Sequence, residues 1–312
     1  MRAIVFPGQG AQAVGMGKRL AEASATAREV FEEVDDALEQ KLSHLMFNGP
    51  QEELTLTANA QPALMAVSVA LVRVLEKEGG KRLADGGDYV AGHSLGEYSA
   101  LTAAGALQLS DAARLLRRRG EAMQAAVPVG EGAMAALLGM DVPDVQQVVA
   151  DAAEAGVCAI GNDNAPGQVV VSGATAAVER AVALAKERGV RKAVMLDVSA
   201  PFHCPLLQPA ADAMQEALAE ISLDEPVVPL IANVTAAPVA DPEEIRRLLV
   251  EQVTATVRWR ECVLAMKELG VDTLVEMGEG KVLSGMIRRI DREMKGVPVQ
   301  GPEDLEALAA SW

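Results

Sequence analysis

Residues 3–6 form an unbroken apolar run, the pattern of a short strand covered on both faces. The segment Pro7-Gly8-Gln9-Gly10-Ala11-Gln12 closes it as a tight loop, since Pro removes a donor and Gly permits unusual backbone angles. Residues 17–56 carry many charges at helical spacing and little strand signal. Residues 59–78 read as one long amphipathic helix that stops at Gly79-Gly80, with Pro62 in its first turn. Gln61 beside that helix start either faces a site or solvates the helix end, and the second reading is the simpler.

A short apolar run then leads into Gly92-His93-Ser94-Leu95-Gly96, and residues 97–106 read as the helix that follows. A serine between two glycines at a strand-to-helix turn matches the nucleophile elbow, in which the hydroxyl stands exposed on a sharp turn. The alternative is a chance pentapeptide in an alanine-rich helix. Residues 110–125 predict another helix, with Ser110 as N-cap and Asp111 in its first turn. Arg114, Arg117 and Arg118 share a face there and read as a solvated charge cluster, whereas Arg119 points elsewhere.

The pattern next changes to β-α-β-β-α-β over 133–138, 142–155, 157–161, 168–172, 174–188 and 191–196, the ferredoxin-like order. It reads as an insertion at 128–198, with crossing points at Val127-Pro128 and Ser199-Ala200-Pro201. Helix at 203–221, strand at 227–233, helices at 241–253 and 260–269, strand at 273–276 and helix at 281–291 follow, and the last dozen residues show no strong anchor. The expected fold is therefore α/β. A large α/β-hydrolase-like domain with a mostly parallel sheet spans 1–127 and 199–312, and the small subdomain spans 128–198.

Composition narrows the function. Half of the 312 residues are apolar and 23% are charged, an ordinary globular balance. Aromatics at 3% and a net charge of −16 oppose nucleic-acid binding, through both base stacking and phosphate contacts. The same charge means that an acidic partner needs a local basic patch. Cys158, Cys204 and Cys262 are isolated and odd in number, as expected for free thiols in a reducing compartment. The N-terminal run is too short for a signal segment, and no stretch reaches the roughly 18 apolar residues of a membrane span. A cytoplasmic protein without membrane association is expected, as a monomer.

A serine hydroxyl needs a neighbouring base, usually histidine. Of the three histidines, His44 lies in a charged helical stretch, and His93 is adjacent to Ser94 with its side chain directed away. His203, in Ser199-Ala200-Pro201-Phe202-His203-Cys204-Pro205, remains as the candidate base. No acid stands out as its orienter, and Asp197 is too close in sequence. A dyad with the histidine held by another group, such as a backbone carbonyl, is expected.

Several separated segments together resemble the malonyl-CoA:acyl-carrier-protein transacylase family and the related acyltransferase domains of polyketide and fatty acid synthases. They are the loop from Phe6 to Gln12, Gln61-Pro62-Ala63, the stretch from Gly92 to Tyr98, Arg119-Gly120, Phe202-His203 and the stretch from Gly280 to Leu283, in family order. The resemblance implies that Ser94 is acylated and that His203 is its base. It also implies that the N–H groups of Gln9 and Leu95 form the oxyanion hole and that Arg119 pairs with the malonyl carboxylate. It implies further that the backbone carbonyl of Gln252 orients His203, and that Gln61, Met123 and Asn162 lie near the acyl pocket. Phe202 resembles the malonyl-selective synthase pattern and departs from many stand-alone bacterial members, which have a smaller residue there; such a ring would crowd an α-methyl branch. No metal or bound cofactor is implied. Malonyl-CoA is the donor, and the phosphopantetheine thiol of an acyl carrier protein is the acceptor. The carrier is expected to dock on Arg117, Arg118 or Lys281. A serine thioesterase or esterase with the same Ser–His pair is the alternative, and a non-catalytic carrier-binding module a third reading.

Overall fold

Strand β1, Arg2–Phe6, alternates its side chains between two cores. Ile4 and Phe6 enter the larger one and Ala3 and Val5 the smaller, so both faces of the strand are covered. The computed structural model describes residues 1–312. The other strands are β2 (Tyr89–Gly92), β3 (Gly132–Leu138), β4 (Cys158–Ala165), β5 (Gln168–Ala174), β6 (Lys192–Met195), β7 (Leu230–Ala232), β8 (Ala237–Val239), β9 (Thr273–Met277) and β10 (Lys295–Val299). One sheet has the order β10-β9-β1-β2-β7-β8, and the other β4-β5-β3-β6. All pairs in the first are parallel except β7 with β8, and all in the second are antiparallel.

Helix Thr57–Lys77 passes through the larger core and is buried along most of its length. By length and composition it could cross a membrane, but 89% of its apolar window is packed inside the protein. It begins two residues earlier than its periodicity predicts, so Pro62 lies inside the helix rather than in its first turn. Gly120 explains how close the helix Leu109–Ala125 comes to it: a Cβ there would sit 2.6 Å from the Cα of Ala58. The second sheet meets the larger part of the chain where Asn162 of β4 bridges Val257 in the loop before the helix Trp259–Glu268. The Asp163 backbone N–H donates to the Val257 carbonyl at 2.9 Å, and Arg260 pairs with the Asp163 carboxylate at 2.8 Å.

Three local expectations change. The stretch 17–56 breaks into four helices, and the strand at 227–233 shrinks to β7 with Val227 exposed. The last dozen residues, expected to show no strong anchor, form the helix Pro302–Ser311 with Leu305 and Leu308 buried, and the strand β10 precedes them. Only docking against the first sheet and the helix Lys18–Ala23 makes that short pattern sufficient.

The contact between β2 and the helix Gly96–Ala103 is the tightest in the larger sheet's environment. A Cβ at Gly92 would lie 1.9 Å from the carbonyl carbon of Gly96, all of it rigid backbone. Gly92→Ala should therefore lower the unfolding free energy by about 3 kcal/mol. The expected readout is a lower denaturant midpoint at unchanged slope, and an unchanged midpoint would contradict this packing.

Candidate active site

Ser94 stands between β2 and the helix Gly96–Ala103 with φ of 53°, in the left-handed region. Such a backbone costs a non-glycine residue about 1 kcal/mol or more, so its surroundings must hold it. Asn233 supplies the clamp. Its Oδ1 accepts from the Ser94 N–H at 2.9 Å, and its Nδ2 donates to the Gly92 carbonyl at 2.7 Å. A Cβ at Gly96 would fall 2.4 Å from the Phe6 carbonyl oxygen, so the elbow can sit directly on the end of β1 only because Gly96 has none.

His203 is also in the left-handed region, at φ of 60°, within a loop rather than on a helix. The helix expected from residue 203 begins in fact at Gln208, after a single 3₁₀ turn at Pro205–Leu207. The loop aims Nε2 of His203 at Ser94 Oγ, 2.8 Å away, while Nδ1 faces the Gln252 carbonyl at 2.9 Å. A carbonyl only accepts, so Nδ1 carries the proton and Nε2 is free to receive the serine's. No acid takes part.

The guanidinium of Arg119 completes the centre. It donates to Ser94 Oγ at 3.0 Å, to Gln252 Oε1 at 2.8 Å and to Gln61 Oε1 at 2.8 Å, and lies 5.7 Å from the centre of the Tyr98 ring. Arg119 is only 1% exposed yet forms no ion pair, and its Nε has no acceptor. Beyond Gln252 lies Glu97, whose carboxyl accepts from Gln252 Nε2 at 2.8 Å and from the Asn233 N–H at 2.5 Å.

Burial sets the electrostatics. Removal from water, helped by the Arg119 charge, pushes the His203 pKa down to about 3, so the imidazole is neutral. Burial likewise raises Glu97 to about 8, against the opposing hydrogen bond from the Asn233 N–H and the charge of Arg119. The Arg119 guanidinium is itself lowered by burial.

These groups open into a cleft of about 510 Å³ between the two sheets. Ser94, His203, Gln9, Leu95, Arg119, Gln61, Met123, Asn162 and Phe202 all line it, whereas Gln252 sits behind His203. The N–H groups of Gln9 and Leu95 make no backbone or side-chain hydrogen bond within the chain. Gln61 does not solvate a helix end: it is buried and holds Arg119, with its Nε2 3.7 Å from Met123 Sδ. Arg117, expected on a solvated face, is half-buried and donates to Asn59 and Gln40. His93 turns away from the serine toward Asn164 Oδ1 at 2.8 Å, as its adjacency implies, and His44 is exposed on a distant helix. Sequence reasoning missed Glu97 and Asn233. The one legible signal was Glu97 itself, the only charged residue in the otherwise uncharged helix Gly96–Ala103.

The profile of the family described as "Acyl transferase domain" matches residues 3–300. A malonyl CoA-acyl carrier protein transacylase of Bacillus subtilis (strain 168) is 46% identical over 305 residues, covering 97% of this chain and 95% of the relative. The crystal structure of an acyl-carrier-protein-S-malonyltransferase from Bartonella henselae superposes with a TM-score of 0.97 at 56% identity, covering 99% and 98% of the two chains. A structure described as a type II PKS acyl-carrier protein in complex with its malonyl-transacylase superposes with a TM-score of 0.96 at 40% identity, covering 100% and 99%.

The depressed His203 predicts an unusual pH profile. The reaction of Ser94 with a fluorophosphonate should stay flat as pH falls from about 8 to about 5, because the base remains neutral. An acid limb centred near the ordinary histidine value of 6.5 would contradict the burial argument. Arg119→Ala should shift the limb upward, since it removes a neighbouring positive charge.

Proposed function

The chain belongs to the acyl transferase domain family, and from that premise we propose that it moves a malonyl group from malonyl-CoA to the phosphopantetheine thiol of an acyl carrier protein through an ester on Ser94. One observation carries the choice of acyl group: Arg119 is a buried cation without an acid of its own, 3.0 Å from the nucleophile. A buried charge is stable only when paired, and a guanidinium matches a carboxylate in a two-point fork. An acyl group with a free carboxylate one carbon beyond its thioester supplies that partner.

The geometry gives each step a named group. Ser94 Oγ attacks the thioester carbonyl while His203 Nε2 takes its proton. Negative charge collects on the carbonyl oxygen, where the N–H groups of Gln9 and Leu95 receive it. Collapse breaks the C–S bond, and the imidazolium returns the proton to the departing coenzyme A thiolate. The carrier's thiol then attacks the Ser94 ester, giving its proton to His203, and Ser94 leaves with that proton restored. The Gln252 carbonyl holds the imidazole in one tautomer throughout. Gln61, Met123, Asn162 and Phe202 shape the acyl pocket, and the Phe202 ring disfavours an α-methyl branch.

In the same reading, 1–127 with 199–312 form a hydrolase-like domain and 128–198 a ferredoxin-like subdomain. The elbow at the C-terminal edge of β2 and the order β4-β5-β3-β6 support this. The reaction needs no metal or bound cofactor, and we assign it to a monomer in the cytoplasm. No observation favours the esterase alternative, which has no use for a buried Arg119.

Two substitutions test the assignment with radiolabelled malonyl-CoA. Ser94→Ala should abolish protein labelling, and persistent labelling would remove the elbow from the mechanism. Arg119→Ala should cut malonyl kcat/KM by about a hundredfold while acetyl-CoA loses far less. Equal losses for both substrates would leave the carboxylate without its proposed partner.

A further inference from the structure

One buried carboxyl takes no part in the steps above. Glu97 lies in the first turn of the helix Gly96–Ala103 and is 1% exposed. Both of its partners are donors. One oxygen, Oε1, accepts from the Asn233 N–H at 2.5 Å, and the other, Oε2, accepts from Gln252 Nε2 at 2.8 Å. A backbone N–H can only donate, and Arg119 turns the Gln252 amide so that its NH₂ faces Glu97. Both oxygens are therefore committed as acceptors.

The two partners lead to the two groups that must meet one acyl group. Asn233, just after β7, holds the Ser94 N–H at 2.9 Å through its Oδ1. Gln252, just after the helix Pro242–Glu251, holds the Arg119 guanidinium at 2.8 Å through its Oε1. Arg119 returns to Ser94 Oγ at 3.0 Å, so Ser94, Asn233, Glu97, Gln252 and Arg119 close a circuit of hydrogen bonds. Gln252 Nε2 braces it by donating to the Ser94 carbonyl at 3.0 Å. Turning that amide over would break its bonds to Arg119 and to the Ser94 carbonyl together.

We propose that Glu97 is a positioning residue for acyl selection: by accepting from Asn233 and Gln252 at once, it fixes the Arg119 guanidinium relative to the Ser94 nucleophile, so that both ends of a malonyl group are met together. This deepens the malonyl-transfer reading and rests on it. In a malonyl group one methylene separates the carbonyl under attack from the carboxylate that Arg119 receives. A shift of either anchor is therefore felt at the reacting carbon. An acetyl group is held at the serine alone and has no second point to miss. Gln61 also holds Arg119, at 2.8 Å, so loss of the Glu97 acceptors loosens the cation without releasing it.

Ser94 acylation by malonyl-CoA and by acetyl-CoA, compared in Glu97→Gln and Glu97→Asp, gives the test. Gln keeps the size of Glu but turns one acceptor into a donor, so an N–H must face an N–H at Asn233 or at Gln252. The malonyl-to-acetyl ratio of kcat/KM should fall about tenfold in Glu97→Gln. Glu97→Asp keeps two acceptors on a shorter arm, and its ratio should fall only about threefold. The ratio is the same whatever fraction of a variant is folded, so lost stability cannot imitate the effect. Equal losses for both substrates would overturn the proposal by leaving Glu97 a purely structural role. A larger fall in Glu97→Asp than in Glu97→Gln would also overturn it, by assigning Glu97 to packing. If Glu97→Gln does not fold, an unchanged ratio in Glu97→Asp overturns it alone. If the unsubstituted protein shows no preference for malonyl over acetyl, the carboxylate reading itself fails, and this proposal with it.

Discussion

Gln252 joins the parts of this site that must keep fixed relations. Its carbonyl accepts from His203 Nδ1, its Oε1 accepts from Arg119, and its Nε2 donates to the Ser94 carbonyl at 3.0 Å and to Glu97. Base, cation and elbow are therefore referenced to one residue. Arg119 fixes which way the amide points: a guanidinium donates only, so the amide oxygen must face it and the NH₂ is left to face Glu97. Reversing the amide would bring two donors together at Arg119.

A carbonyl in the place of an acid has an electrostatic consequence. A carboxylate beside His203 would raise the imidazole's pKa and also compete for Arg119. A neutral acceptor fixes the tautomer without adding charge, so burial keeps His203 neutral and Arg119 keeps its whole charge for a substrate. The cost is an unpaired buried guanidinium, softened by Gln61, the Gln252 amide and the Tyr98 ring. That arrangement is poor for stability alone and well matched to an anionic acyl group.

The strained positions follow from the same geometry. Ser94 and His203 both adopt left-handed backbone angles, and each is held by residues from distant parts of the chain. Asn233 clamps the first from the end of β7, and Gln252 fixes the second from the end of the helix Pro242–Glu251. The cleft is then completed by Asn162, which arrives from the other sheet. Deeper in the larger core, packing between helices needs only the right apolar volume; at this edge it needs particular residues.

Much of this was legible in the chain itself. Short apolar runs and 3.6-residue periodicity mark the strands and helices, because alternation follows from which faces are buried. The G-x-S-x-G stretch marked Ser94, since only glycine permits β2, β1 and the elbow helix to approach so closely. Elimination among three histidines reached His203. The rest depended on tertiary structure. Gln61 and Arg117 read as surface groups because their partners are Arg119, Asn59 and Gln40, which only helix packing brings near. Glu97 and Asn233 were passed over because a polar residue's burial depends on what folds over it. The C-terminal strand and helix needed the first sheet as a template. A residue's own chemistry and local backbone limits are written in its sequence neighbourhood; its hydration and its partners are set by residues far along the chain, so the fold decides them.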